Sequence, residues 1–266
     1  MKKSIVILAF ATALALLSGC DEEKVVEFGS LQQRGGVYVV PETQKPYSGK
    51  FVETRENVVV KAGSFKNGKL HGELTIYQKD GSILGMINYK DGILQRGSFT
   101  DSRDGKKYAT VKIGAQTWMA ENLNYNAGGS KCYGNDESNC KTYGRLYDWN
   151  TALKACPSGW HLPDGDEWQK LVDIAGGETA GAILKSSSGW NNDGNGTDEF
   201  GFSALPGGGG YSDGSFGNVG NFGYWWSATE HGADNAYYRY MGYDKSDVYR
   251  SYDDKSNLYS VRCLQD

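Results

Sequence analysis

The chain has 266 residues, with 28 Lys and Arg against 32 Asp and Glu and a formal net charge of −4. That balance excludes nucleic acid as a partner and argues against charge-driven attachment to anionic lipid, because both need a cationic footprint. Its 37 glycines, 18 tyrosines and 5 prolines describe a folded, loop-rich chain of short strands, long enough for one large domain or two small ones.

Lys2 and Lys3 precede an apolar run from Ile5 to Leu17. The run is shorter than the roughly 20 residues of a spanning helix and suits the apolar region of a signal peptide. It ends in Leu17-Ser18-Gly19-Cys20, which resembles a bacterial lipobox. The resemblance implies a lipoprotein signal peptide over residues 1–19, cleavage before Cys20 and lipidation of Cys20. Such an anchor gains about 0.8 kcal/mol per buried methylene. Losing Lys2 and Lys3 with the signal moves the net charge to about −6. Asp21-Glu22-Glu23 resembles both an inner-membrane retention signal and a surface-export signal. In either case the mature chain is extracytoplasmic and lipid-anchored to the envelope, and the outer membrane is the expected location.

Residues 20–46 are weakly patterned and read as a tether, with a strand expected over Val37 to Val40. Residues 47–99 carry a repeat: Phe65-Lys-Asn-Gly68-Lys-Leu70-His-Gly72 returns in looser form as Tyr89-Lys-Asp-Gly92-Ile-Leu94. Asn-Gly and Asp-Gly suit tight hairpin turns, because both central residues need positive φ. Leu74 to Tyr77 and Ile83 to Tyr89 alternate apolar and polar residues as half-buried strands do, and Asp80-Gly81 joins them. The region predicts a β-meander of hairpins and resembles MORN-type repeats of bacterial exported proteins, which implies a spacer or binding ribbon. His71 sits inside one of these turns and is expected to be structural or solvent-facing.

Asp104-Gly105 opens a larger unit, residues 104–266. Tyr108 to Ile113 alternates as a strand. A first helix is expected after Tyr143-Gly-Arg-Leu-Tyr-Asp-Trp149, burying Trp149, Ala152 and Leu153. The next is the best-marked element of the chain. Asp164 is a natural N-cap, Glu167 completes a capping box three residues later, and Trp168, Leu171, Val172 and Ala175 recur at helical spacing. Gly176-Gly177 stops it. A short third helix is expected around Ala180 to Lys185.

The segments Gly114-Ala-Gln-Thr-Trp-Met-Ala-Glu-Asn-Leu123, Tyr143-Gly-Arg-Leu-Tyr147, Cys156-Pro-Ser-Gly-Trp-His-Leu-Pro163, Gly201-Phe-Ser-Ala-Leu-Pro-Gly-Gly208, Trp225-Trp-Ser-Ala-Thr229 and Ser260-Val-Arg-Cys263 resemble, in order and spacing, the Fibrobacter succinogenes major paralogous domain. That family is exported, multi-copy and without an established activity. It is similar in turn to the formylglycine-generating-enzyme-like branch of the C-type lectin fold. The implied fold class is α+β: a C-type-lectin-like domain with two or three helices and irregular antiparallel sheets, preceded by the small β-meander.

Four cysteines remain beyond Cys20, an even count in an oxidising compartment, so two disulfides and three possible pairings. Cys132–Cys140 and Cys156–Cys263 are favoured: the first closes a local loop, and the second ties the helical stretch to the last strand as lectin-like folds do. Zinc fits poorly, with no Cys-x-x-Cys and no histidine cluster. The related enzymes carry two catalytic cysteines ahead of the terminal Arg-Cys. Here Asp253 and Leu258 stand in those places, so the resemblance does not extend to the oxidising pair.

His161, with Asp164 and Asp166 nearby, has no nucleophile beside it and forms no expected catalytic set. Asn191-Asn-Asp-Gly-Asn-Gly-Thr-Asp-Glu199 resembles a calcium loop, since hard cations take six to eight oxygens. Asp193, Asn195 and Asp198 are its candidate metal ligands. Trp225, Trp226, Tyr238 and Tyr240 are the candidate ligand-binding residues, because sugar C–H groups stack on aromatic rings. Strand alternation would instead send alternate aromatics of the 237–243 run into a core. The expected function is a non-catalytic envelope lipoprotein presenting a lectin-like recognition domain to polysaccharide or to a surface protein. An enzyme with an unrecognised site and a purely structural envelope protein are the other classes.

Overall fold

The computed structural model describes residues 25–266. The expected signal peptide over residues 1–19 and the expected lipidation site Cys20 lie outside the described residues. The described residues are α+β, with four short α-helices and strands gathered mainly into three sheets.

The hairpin region forms the first sheet. Gly49–Arg55, Val58–Lys66, Gly72–Tyr77 and Ile83–Lys90 follow one another antiparallel. The turns at Asn67-Gly68 and Asp91-Gly92 have both central residues at positive φ, the conformation those dipeptides favour. Alternation puts Phe51, Phe65, Leu74, Ile76, Ile87 and Tyr89 into one buried face.

Two expectations change here. Residues 25–46 are no tether: Val25–Glu27 pairs parallel with Gly49–Arg55, Gln32–Arg34 pairs with Val37–Val39, and Phe28 packs among Tyr38, Phe51 and Phe65. The ribbon is also no free-standing spacer. Its apolar face is continuous with the core of the C-terminal unit. Gly85 and Gly114 approach each other beside Ile174, where side chains would collide. The physical reason is size: a single-sheet ribbon alone leaves its apolar face to water, and docking buries it.

In the C-terminal unit, the second sheet runs Gly97–Thr100, Lys107–Ile113, Gln116–Met119, Leu264–Gln265, Trp160–His161. The third runs Leu146–Tyr147, Tyr259–Ser260, Phe222–Glu230, Asn235–Gly242, Tyr249–Asp254. The capping-box helix spans Gly165–Ile174, with Asp164 and Glu167 satisfying each other's backbone donors. Trp168, Leu171, Val172 and Ala175 are all buried, each large one contributing about 1.5–3 kcal/mol. Gly176 takes φ 99° and ends it. Trp149–Ala155 and Ala180–Leu184 are the other expected helices, although Leu153 is exposed and Ala155 buried in its stead. A further helix, Glu137–Tyr143, starts inside the loop closed by Cys132–Cys140 and carries Cys140. The second disulfide is Cys156–Cys263, so both favoured pairings form.

Candidate functional site

The motif residues converge first on a buried polar hub, not on a surface. Arg262 is 0 % exposed. Its guanidinium donates to Asn122 Oδ1 at 2.8 and 3.1 Å, to the Met119 and Ser203 carbonyls at 3.4 Å, and to the Phe202 carbonyl. It lies 4.3 Å from the centre of the Phe202 ring. Asn122 also accepts from Trp225 Nε1 at 2.8 Å and donates to the Tyr143 carbonyl at 2.8 Å. One side-chain amide thus joins the Glu-Asn-Leu, Tyr-Gly-Arg, Trp-Trp and Arg-Cys segments. Burial pushes the Arg262 pKa down to about 9, and the group is still a cation at neutral pH.

Two candidate ligand-binding residues are corrected by this hub. Trp225 and Trp226 are both 0 % exposed. Trp225 faces the hub, and Trp226 donates to the Tyr147 carbonyl at 2.7 Å beneath Tyr238 and Tyr259. Alternation along a two-sided central strand buries both: one faces each of the two cores.

Tyr238 and Tyr240 stay half-buried on an open sheet face. Strand register lines up Tyr224, Tyr240 and Tyr249 across three strands. Tyr240 stacks on Tyr249 at 5.0 Å, and Tyr224 stacks on Phe222 at 5.9 Å. The shelf has a polar margin. Asn218 Nδ2 donates to the hydroxyls of Tyr211 and Tyr224 at 2.9 and 3.1 Å, and Tyr259 donates to Asp253 at 2.6 Å. Burial raises the phenol pKa values of Tyr224, Tyr238 and Tyr259, so these hydroxyls stay neutral and both donate and accept. Sequence reasoning found Tyr238 and Tyr240 but missed Phe222, Tyr224 and Tyr249, whose only signal was period-two spacing.

The candidate calcium ligands do not come together as a metal site. Asn195 Oδ1 accepts from the Trp190 N–H, and Asp198 accepts from Ser203 N–H and Oγ at 2.7 and 2.6 Å and pairs with Arg96 at 3.3 Å. Asp193 stands exposed on the loop. The stretch is the seat for the hairpin ribbon: Glu199 pairs with Lys61 at 2.7 Å, and its carbonyl accepts from Tyr89 at 2.6 Å. Its glycines serve packing, for a side chain at Gly194 or Gly196 would strike the backbone of Tyr243 or of Ala182 and Lys185.

The cation beside this loop is an ammonium. Lys185 is buried and donates to the carbonyls of Gly242 and Lys245 at 3.0 and 2.9 Å, with Tyr243 at 3.4 Å. Burial lowers its pKa against the opposing charge of Asp244. Chelation by EDTA is expected to leave the melting temperature unchanged, whereas Lys185→Met costs roughly 2–3 kcal/mol by orphaning these carbonyls. A rise of several degrees with added calcium would overturn the assignment.

His161 is clamped between carboxylates, but not those nearest in sequence. Nδ1 faces Asp266 at 2.7 Å, and Nε2 faces Glu167 at 3.0 Å. Burial opposes its protonation, yet the hydrogen bonds and charges of Asp266 and Glu167 outweigh burial and raise its pKa. A raised folded pKa stabilises below the unfolded value near 6.5 and loses that stabilisation as pH climbs through the folded value. Wild type is therefore expected to exceed His161→Gln in stability at pH 5.5, by under about 1 kcal/mol at this part-exposed site. Denaturant titrations should show the gap closing as pH rises through the raised folded pKa.

A family model described as the Fibrobacter succinogenes major domain matches residues 111–265, more than half of the chain. No curated protein and no solved structure matches it.

Proposed function

The chain belongs to the Fibrobacter succinogenes major domain family, and from that premise we propose that it is a non-catalytic envelope lipoprotein whose C-terminal domain recognises polysaccharide. The observation that carries this reading is the tyrosine shelf. Neutral, half-exposed rings at neighbouring strand positions, edged by Asn218, Ser251 and Asp253, offer apolar faces for sugar C–H groups and hydroxyls for sugar oxygens. The shelf is an open sheet face, which suits an extended polymer chain better than a small molecule.

The lectin-like form of the domain is supported by the Cys156–Cys263 tie and by the pairing of its last strand with Gln116–Met119. A non-catalytic role is supported by Asp253 and Leu258, which stand where the related enzymes place their reactive thiols. Anchoring rests on Lys2, Lys3, the apolar run and Cys20, and MORN-like character on the repeated Asn-Gly and Asp-Gly turns. Among the described residues no helix is long and apolar enough to cross a membrane, and on this reading the lipid on Cys20 supplies attachment.

The test is retention of the folded, oxidised chain on a panel of insoluble and soluble polysaccharides. Tyr240→Ala is expected to weaken retention at least tenfold while the chain stays folded, the lost stacking on Tyr249 costing only about 1 kcal/mol. Membrane fractionation of Cys20→Ala checks the anchor. A panel with no saturable binding would move the reading to a surface-protein ligand or a structural role.

A further inference from the structure

A cavity lies on the face of the same sheet opposite the tyrosine shelf, where the start of the Gly165–Ile174 helix meets Asn235–Gly242 and its edge neighbour. Its volume is about 240 Å³, and Asp164, Asp166, Gln169, Thr229, Arg239 and Arg250 line it. This is below the roughly 300–1,000 Å³ of pockets that take drug-sized ligands, so its occupant is a single small polar ring.

The arginines set its chemistry. Arg239 and Arg250 are direct cross-strand partners, an arrangement in which like charges repel. Arg239 is only 5 % exposed. One of its terminal nitrogens donates to Gln169 Oε1 at 3.0 Å and to the Gly165 carbonyl at 3.4 Å. Arg250 lies 3.7 Å over the Tyr237 ring. Among the described residues neither arginine forms an ion pair, whereas Arg145 and Lys255 of the same domain each lie on a carboxylate. Burial, reinforced by Arg250, lowers the Arg239 pKa to about 10. Two adjacent cations that pair with neither of the acids across the cleft are matched by a planar oxyanion, which a guanidinium binds in bidentate fashion.

The opposite wall is of the other kind. Asp164 commits one oxygen to the helix cap, accepting from the Asp166 and Glu167 N–H groups, and the exposed Asp166 carboxylate has no hydrogen-bond or ion-pair partner among the described residues. A bare anion gains nothing from these two acids, while ring hydroxyls donate to them.

We propose that this cavity binds one carboxylate-bearing sugar residue, a hexuronate, with its carboxylate on Arg239 and Arg250 and its hydroxyls on Asp164 and Asp166. The assignment rests on the glycan reading above and narrows it to acidic glycans for this second site.

Calorimetry of the chain with trigalacturonate, maltotriose and acetate tests it. Trigalacturonate is expected to bind and the other two to bind at least tenfold more weakly. Arg250→Met, at an exposed position, should weaken trigalacturonate at least tenfold with an unchanged melting temperature, Arg250→Lys less so, and Tyr240→Ala not at all. Unchanged affinity in Arg250→Met, acetate binding as tightly as trigalacturonate, or no uronate binding by the folded chain would each overturn it. Arg250-dependent binding of trigalacturonate with no Tyr240 effect on any polysaccharide would remove the shelf and leave the cavity standing.

Discussion

Arg262→Met is expected to lower the unfolding free energy by about 3–5 kcal/mol, measured by urea denaturation at pH 7. The methionine fills much of the volume, but it abandons Asn122 Oδ1 and the carbonyls of Met119, Phe202 and Ser203 inside a core. Unsatisfied buried acceptors lose their full hydration, which is why removing one member of such a network costs more than any single bond in it was worth. Arg262→Lys is expected to fall between wild type and methionine, since one ammonium cannot reproduce the planar fork. Asn122→Ala should cost a similar amount and be strongly non-additive with Arg262→Met, because both delete the same contacts. A loss below about 1 kcal/mol would mean that the hub is incidental to the fold. The ordering also explains why Glu-Asn-Leu and Arg-Cys occur as motifs 140 residues apart: they are two ends of one hydrogen-bonded cluster.

The second large effect is expected from the long disulfide. Cys156 and Cys263 are 107 residues apart, whereas Cys132 and Cys140 are separated by 8. Loop-closure entropy removed from the unfolded chain grows with the logarithm of loop length, giving up to about 4–5 kcal/mol for the first and about 2.5 for the second. Replacing Cys156 and Cys263 together with serine should therefore lower the urea midpoint more than replacing Cys132 and Cys140. The larger loss also has a folded-state cause, since Cys263 is 0 % exposed among Met119, Tyr108 and Leu162 and serine leaves a hydroxyl there. The reverse order of midpoints would show that the local loop, with its Glu137–Tyr143 helix, matters more than chain entropy.

How much of this was legible follows from distance along the chain. The Gly165–Ile174 helix could be read because its cap, box, stripe and stop all lie within fourteen residues of one another. The hairpins could be read for the same reason: Asn-Gly and Asp-Gly set their own backbone angles. Of the aromatic candidates, Tyr238 and Tyr240 were separable from their neighbours only by parity, and parity does not say which side of a strand is the open one. Both sides of Phe222–Glu230 turned out to face cores at Trp225 and Trp226. The Asn/Asp/Gly loop was misjudged because its oxygens and glycines are spent on partners far away in sequence, Lys61, Tyr89 and Arg96 among them. Its composition is the same whether its acids face a calcium ion or the side chains of Lys61 and Arg96.

By itself, then, the sequence determined the local elements, the α+β class, the even cysteine count that pairs into two disulfides and the family to which the domain belongs, because short-range stereochemistry and motif order carry those. Only the tertiary structure decided what faces water. It merged the ribbon into the domain core, buried the paired tryptophans, drew Asn122 and Arg262 into one hub, and set two arginines side by side in a cleft. Each of these depends on which faces pack, and burial is settled when separate elements exclude water from one another, not when each one forms.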